Sequence, residues 1–254
     1  MQVSGKPTVD VAIAAGEVTP ERVSQRSVAV IDVFRATSVI VEAIHNGAAR
    51  VIPVVTVGDA LAMRERFAGE RVLLGGERNT VKIEGFDKDN SPLAYTRADV
   101  GGATIVFTTT NGTRAIYNSR GAHAIYVAAF INMSAVCAAL AAAGRDVVLV
   151  CSGRDDRFTA EDGLCAGAMA DVLAARYGYG TTDIAEVMQR MWLEGRDDVK
   201  RRLSTTYHYN DIVRRGYFAD IDFCLQRDIY DTVPCYDAMG EIRKLNSDGT
   251  GNER

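Results

Sequence analysis

The sequence predicts an α/β protein with a largely parallel sheet, or sheets, flanked by helices and followed by a helical C-terminal segment. Two observations carry this. Short β-branched runs recur over the first two-thirds of the chain, and segments with helical spacing of apolar residues separate them. A third supports it: the runs are nearly continuously apolar, as strands buried on both faces must be.

The elements follow in order. Residues 28–31 (Val-Ala-Val-Ile) read as a buried strand, and 36–44 as a helix that Asn46-Gly47 stops. Residues 51–55 are a strand, 59–67 a helix, and 71–74 a strand ending in Gly75-Gly76. Residues 104–107 form a strand that runs into the polar segment 108–113. The strand at 124–127 leads through Asn132 and Ser134 into an Ala-rich helix ending at Gly144. A strand at 147–150 precedes a helix over 164–173, whose apolar residues fall at 164, 165, 168, 169, 172 and 173. Thr182 or Asp183 caps a helix reaching about Glu194. The charged, Tyr-rich stretch 197–223 reads as helical, and Val233-Pro234 ends it. One domain over 1–240 and a flexible tail over 241–254 complete the expected organisation.

The chain has 254 residues, 47% hydrophobic and 24% charged, with a net charge of −4. That mild acidity provides no general field for nucleic acid or an acidic membrane, so an anionic ligand needs locally placed Arg or helix N-termini. No run approaches the roughly 20 apolar residues that span a bilayer, and the first residues are too polar for a signal peptide. Cys137, Cys151, Cys165, Cys224 and Cys235 are odd in number and form no C-x-x-C, which fits reduced thiols and a cytoplasmic location. A homodimer is the default assembly, because dimers are the commonest.

Ligands of an open parallel sheet bind beyond the carboxyl ends of its strands. Asp32 and Arg35 follow the first strand, Glu77 and Arg78 the third, the Thr108-Thr109-Thr110-Asn111-Gly112-Thr113 run the fourth, and Cys151-Ser152-Gly153-Arg154 the strand at 147–150. Glu161-Asp162 opens the next helix. Asp32, Glu77, Glu161 and Asp162 are oxygen donors suited to Mg²⁺. Arg35 and Arg78 suit bidentate capture of phosphate or a second acid. The Thr-rich run, with its N–H groups and hydroxyls, suits an anion.

Each candidate has a plain structural alternative. Asp32 can pair with Arg35, Glu77-Arg78 can be a solvated turn, and the Thr run can be a strand end. Thr159-x-x-Asp162 resembles a capping box. His45, His123 and His208 are isolated, and each reads as structural or surface. Cys151 to Arg157 has the C-x5-R spacing of thiolate phosphatases, but Asp155 and Asp156 inside that loop would repel phosphate.

The segments IDVFRATSVIVEAIHNGA (31–48), LLGGER (73–78), IEGFDKDNSP (83–92), TTTNGTRA (108–115), CSG with EDGLCAGA (151–168) and GYFADIDFC (216–224) together resemble the 2-phosphosulfolactate phosphatase family. These are Mg²⁺-dependent enzymes associated with coenzyme M synthesis. The resemblance implies a three-layer fold of two similar subdomains, which here would divide near 100–145. It implies hydrolysis of 2-phospho-3-sulfolactate, or a related 2-phosphohydroxy acid, to the hydroxy acid and phosphate. Mapped onto this chain, Asp32, Arg35, Glu77 and Arg78 are the expected catalytic residues. Asp32, Glu77, Glu161 and Asp162 are the expected metal ligands. Asn90, Thr109, Thr110, Asn111, Gly112, Thr113, Ser152 and Gly153 are the expected substrate contacts. Water can attack directly, or Asp32 can form an aspartyl-phosphate. The chain departs from the family pattern at Asn79-Thr80, at Asp89 and at Ser152, which bears on substrate identity more than on reaction type. The competing readings are a non-catalytic anion- or nucleotide-binding module and a Cys151 thiolate phosphatase.

Overall fold

The computed structural model describes residues 5–245. In chain order the elements are β1 (Thr8–Ala12), α1 (Pro20–Val23), β2 (Ser27–Ile31), α2 (Ala36–His45), β3 (Arg50–Pro53), α3 (Val57–Arg66), β4 (Val72–Arg78), β5 (Val81–Lys82) and α4 (Arg97–Val100). There follow β6 (Thr104–Thr108), α5 (Gly112–Asn118), β7 (Ala124–Ala128), α6 (Met133–Ala143), β8 (Val147–Cys151), α7 (Ala160–Tyr177), β9 (Gly180–Thr181) and α8 (Asp183–Gly195). The last are α9 (Val199–Leu203), α10 (Tyr207–Arg214), α11 (Phe218–Cys224), β10 (Pro234–Tyr236) and β11 (Ile242–Lys244).

Among the described residues all eleven strands join one sheet in the order β5-β4-β6-β3-β11-β10-β7-β2-β8-β1-β9. It contains two parallel blocks, β4-β6-β3 and β7-β2-β8-β1-β9. The antiparallel hairpin β10–β11 bridges them. The chain passes between the blocks twice, through α2 and through α5.

Successive side chains of a strand point to opposite faces, which divides the core. Val9, Val11, Ala29, Ile31 and Leu149 pack with α6, α7 and α8 on one face. Val28, Val30, Val127, Val148 and Val150 pack with α2 and α5 on the other. A smaller cluster seats α3, through Ala60, on Ile52, Leu74 and Val106. Every residue of β2, β6 and β8 is buried, which explains their unbroken apolar runs. Val28, Val30 and Ile31 are fully buried, each contributing about 1.5–3 kcal/mol.

Three expectations change. The stretch 197–223 is not one helix but α9, α10 and α11, interrupted at Thr205-Thr206 and at Gly216, whose φ of 85° suits glycine. Residues 242–244, assigned by sequence to a flexible tail, form β11 in the middle of the sheet. The remainder of that tail, 246–254, lies outside the described residues. Strand β1 escaped notice because Asp10 interrupts its apolar run; that carboxylate accepts from Arg22 and Thr182. Among the described residues no helix is long and apolar enough to cross a membrane.

Candidate active site

The ends of β2 and β8 lie in one parallel block and those of β4 and β6 in the other, yet residues from all four line one cavity of about 60 Å³. Close packing of α2 against α5 helps bring the two sets together. A Cβ on Gly112, the first residue of α5, would stand 2.6 Å from the Ala36 Cβ and 2.7 Å from Asp32 Oδ2. Glycine therefore permits the two helix starts, and the loops before them, to meet.

Besides the exposed Asp155, four carboxylates line this cavity: Asp32, Glu77, Glu161 and Asp162. All four are at least nine-tenths buried. Asp32 Oδ1 accepts the Ala36 N–H at 3.1 Å, whereas Oδ2 has no hydrogen bond among the described residues. Glu77 is held by the N–H groups of Thr110 (2.8 Å) and Thr80 (2.6 Å). Asp162 accepts from Val33 N–H (2.8 Å) and Gly153 N–H (3.1 Å). It thereby ties the start of α7 to the ends of β2 and β8. Glu161 Oε1 meets His208 Nδ1 at 2.5 Å, and Glu161 Oε2 is buried without a partner.

Burial pushes the Asp32 carboxyl up to about 6; the Ala36 N–H and His208 oppose this, and Glu77 and Glu161 add to it. Asp162 is raised by burial, then by the charges of Glu161 and Asp32. For His208, burial favours the neutral ring, but the charge of Glu161 and its hydrogen bond outweigh that and raise it. Among the described residues no group of three or more His, Cys, Asp or Glu is arranged as a ready-made metal cage. That is compatible with Mg²⁺, which usually takes one or two carboxylates and completes its shell with water and substrate oxygens. Asp32 and Glu161, each with an oxygen not engaged by hydrogen bonds, fit such a role best.

Opposite charge comes from Arg35. Its Nη1 donates to Asp220 Oδ2 at 2.5 Å, its guanidinium lies 3.8 Å from the centre of the Tyr217 ring, and its buried Nε has no partner. The buried Asn90 Oδ1 is also unpartnered. Arg35, Asn90, Thr109, Thr110, Asn111 and Gly153 all line the cavity.

Other expected site residues stand outside it. Arg78 donates to the backbone oxygens of Glu77 and Val55 and to Thr108 Oγ1, so it braces the strand ends. Thr113 is consumed in mutual hydrogen bonds with Thr109. Gly112 acts by close packing, and Ser152 is buried beneath the wall. Cys151 is a fully buried residue of β8 whose thiol burial pushes well up, the reverse of what a thiolate nucleophile needs. The capping-box reading of Asp162 is replaced by its bonds to Val33 and Gly153, and Thr159 makes no side-chain cap.

The sequence sets His208 aside as structural or surface and gives Ile212 no role, yet both stand on the cavity wall, together with Arg154, Asn79 and Thr80, which it places near the site without assigning them a part. His208 and Ile212 lie one helical turn apart on α10, a spacing that shows they share a face but not what that face meets. Arg154 is held by Asp211 at 2.9 Å.

Residues 14–239 match the family model described as 2-phosphosulpholactate phosphatase. The chain is 38% identical over 226 residues to a protein of Clostridium novyi, covering 89% of this chain and 95% of that one. It is 39% identical over 230 residues to one of Clostridium botulinum, strain Eklund 17B (90% and 96%). A third, from Clostridium acetobutylicum, is 38% identical over 235 residues (92% and 99%). Each carries the name "Probable 2-phosphosulfolactate phosphatase".

Proposed function

The chain belongs to the 2-phosphosulpholactate phosphatase family, and from that premise we propose that it hydrolyses 2-phospho-3-sulfolactate, or a close 2-phosphohydroxy acid, to the hydroxy acid and phosphate with Mg²⁺. One observation carries the metal requirement. The cavity has four buried carboxylates, while its cationic side chains Arg35, Arg154 and His208 are each already paired with an acid. A phosphate dianion would be repelled from such a wall unless a divalent cation entered with it.

Bound between Asp32 and Glu161, with Glu77 and Asp162 shaping the wall, Mg²⁺ would neutralise phosphate charge and favour ionisation of attacking water. The protein supplies the rest. Arg35 offers its remaining donors to phosphate oxygens, and the Asn90 amide and the Thr110–Asn111 turn orient the ester. His208, whose protonated form the Glu161 charge and hydrogen bond favour, is placed to give a proton to the departing alkoxide of the hydroxy acid. Fixed donors in a closed cavity act chiefly by positioning and charge stabilisation.

The test is phosphate release from 2-phospho-3-sulfolactate and a panel of 2-phospho acids, with Mg²⁺ and with EDTA. Release that needs Mg²⁺ supports the reading. Release that survives EDTA removes the metal from it, and a folded protein that releases no phosphate from any of them overturns it. The five free cysteines, four of them buried, support a cytoplasmic location as part of this reading.

A further inference from the structure

The turn that joins β4 to β5 is strained at the cavity wall. Arg78 pairs with Val81 and Glu77 with Lys82, so Asn79-Thr80 is a two-residue hairpin loop. Loops of that length match the twist of their strands when both residues have positive φ. Asn79 has a φ of 54° and Thr80 a φ of 69°. Among the described residues six residues other than glycine have positive φ: four are Asn or Asp, one is Gln25, and Thr80 alone is β-branched. Asn and Asp tolerate this region, whereas a β-branched side chain crowds its own backbone there.

The turn itself does not call for threonine. The Thr80 N–H donates to Glu77 Oε2 at 2.6 Å and the Thr110 N–H holds Oε1, so the turn helps to fix a carboxylate of the site. Glycine would give the same loop and the same N–H bond without strain. Asparagine, as at the neighbouring Asn79, would give a polar side chain at little cost. The Thr80 hydroxyl makes no hydrogen bond among the described residues, so no side-chain contact within the chain offsets the strain. What threonine adds is bulk at Cβ, held in few rotamers. That bulk lies on the cavity wall, half-buried between the exposed Asn79 and the deeper carboxylates.

Strain kept at a cavity wall with no structural return points to function. Given the phosphatase reading above, on which this inference rests, the phosphoryl group goes to the buried carboxylates and Arg35. The alcohol part of the ester then faces the mouth, where Thr80 stands. We propose that Thr80 is a specificity-determining residue, a stiff wall that limits the bulk of the alcohol part. A short carbon chain passes it, and a branched or aromatic one meets the Thr80 side chain. The selection is by shape and not by charge.

The test compares Thr80→Gly with Thr80→Val in the full chain. Both keep the N–H that holds Glu77, and valine keeps the shape of threonine without its hydroxyl. The probes are two esters of equal charge, 2-phospholactate and the phosphate ester of 3-phenyllactate. The kcat/KM ratio of the phenyl ester to the smaller one should rise roughly tenfold in Thr80→Gly, as a change in pocket volume gives. In Thr80→Val it should stay at the wild-type ratio. A ratio that Thr80→Gly leaves unchanged, or that Thr80→Val raises equally, would overturn the wall. A second measurement needs no substrate. Thr80→Gly should melt about 2 °C higher than wild type in EDTA, because relief of strain exceeds the added chain entropy of glycine. A variant that melts no higher removes the strain and overturns the proposal with it. If neither ester is hydrolysed, the phosphatase reading fails by itself, and calorimetric titration with the same two intact esters in Mg²⁺ still tests the wall. A binding ratio that shifts roughly tenfold toward the phenyl ester in Thr80→Gly supports it; an unshifted ratio, or no binding, overturns it.

Discussion

Arg35 and Asp220 form a fully buried ion pair, Nη1 to Oδ2 at 2.5 Å, across 185 residues of sequence. Ser91 donates to the other Asp220 oxygen at 2.6 Å, and Tyr217 underlies the guanidinium. Asp220 thus fixes the arginine in one orientation, in which its buried Nε is left without a partner. Asp220→Asn should lower stability by about 3 kcal/mol, the cost of leaving one member of a buried pair uncompensated. It should also weaken competitive inhibition by inorganic phosphate roughly tenfold. Ser91→Ala should cost only about 1 kcal/mol. Thermal melts and phosphate inhibition constants check both effects; an unchanged inhibition constant in Asp220→Asn would remove the positioning role.

Asp32 has the opposite relation to stability. Its folded pKa of about 6 lies above its ordinary value of 3.8. A raised carboxyl disfavours the folded state once ionised, so metal-free protein should lose stability as pH rises from about 4 to about 6 and stay level above. The shift corresponds to about 3 kcal/mol at neutral pH. Asp32→Asn should therefore melt higher than wild type at pH 7 in EDTA while losing turnover. At pH 4 the difference should vanish. If the variant melts lower at pH 7, Asp32 is a structural ion partner and not a strained catalytic group.

His208 should set the alkaline limb of activity. The Glu161 charge and hydrogen bond raise its pKa above 6.5 despite burial, so the proton needed for the leaving group is lost only above that value. His208→Gln should cut kcat roughly 10²-fold. Glu161→Gln should move the alkaline limb to lower pH, because burial then acts without its counterweight. A pH–rate profile in which neither variant alters the alkaline limb would exclude His208 as proton donor.

The sequence made the parallel strands legible because β2, β6 and β8 are buried on both faces and so read as unbroken apolar runs. It also made legible the residues just beyond those strands, Asp32 and Thr109 to Asn111, because an open parallel sheet presents its ligands there. What it hid depends on tertiary approach. His208 and Asp220 sit on short helices whose local pattern says only that one face is apolar; their partners, Glu161 and Arg35, are remote in sequence. Arg78 shows the converse. It follows a strand like the residues that line the cavity, but its guanidinium turns to backbone oxygens, and no spacing reveals that. Strands β10 and β11 are three residues each, too short for a periodic signal.

Gly112 offers a test in which two ordinary expectations have opposite signs. Alanine is favoured over glycine within a helix by about 1 kcal/mol, so on propensity alone Gly112→Ala should stabilise the protein. The added Cβ, however, would meet the Ala36 Cβ at 2.6 Å, Asp32 Oδ2 at 2.7 Å and Thr109 Oγ1 at 3.3 Å. Ala36 belongs to the first turn of α2 and its Cβ cannot rotate away, so one helix must shift against the other. Overpacking of this kind costs about 1–3 kcal/mol, which exceeds the propensity gain. The shift would displace Asp32, and misplacement of a catalytic group by about 1 Å can reduce turnover roughly 10²-fold. Gly112→Ala should therefore lower both the melting temperature and kcat, measured on the purified variant beside wild type. A variant that melts higher and keeps its turnover would mean that α2 and α5 have room to spare, and the convergence of the two strand blocks on one site would need another cause.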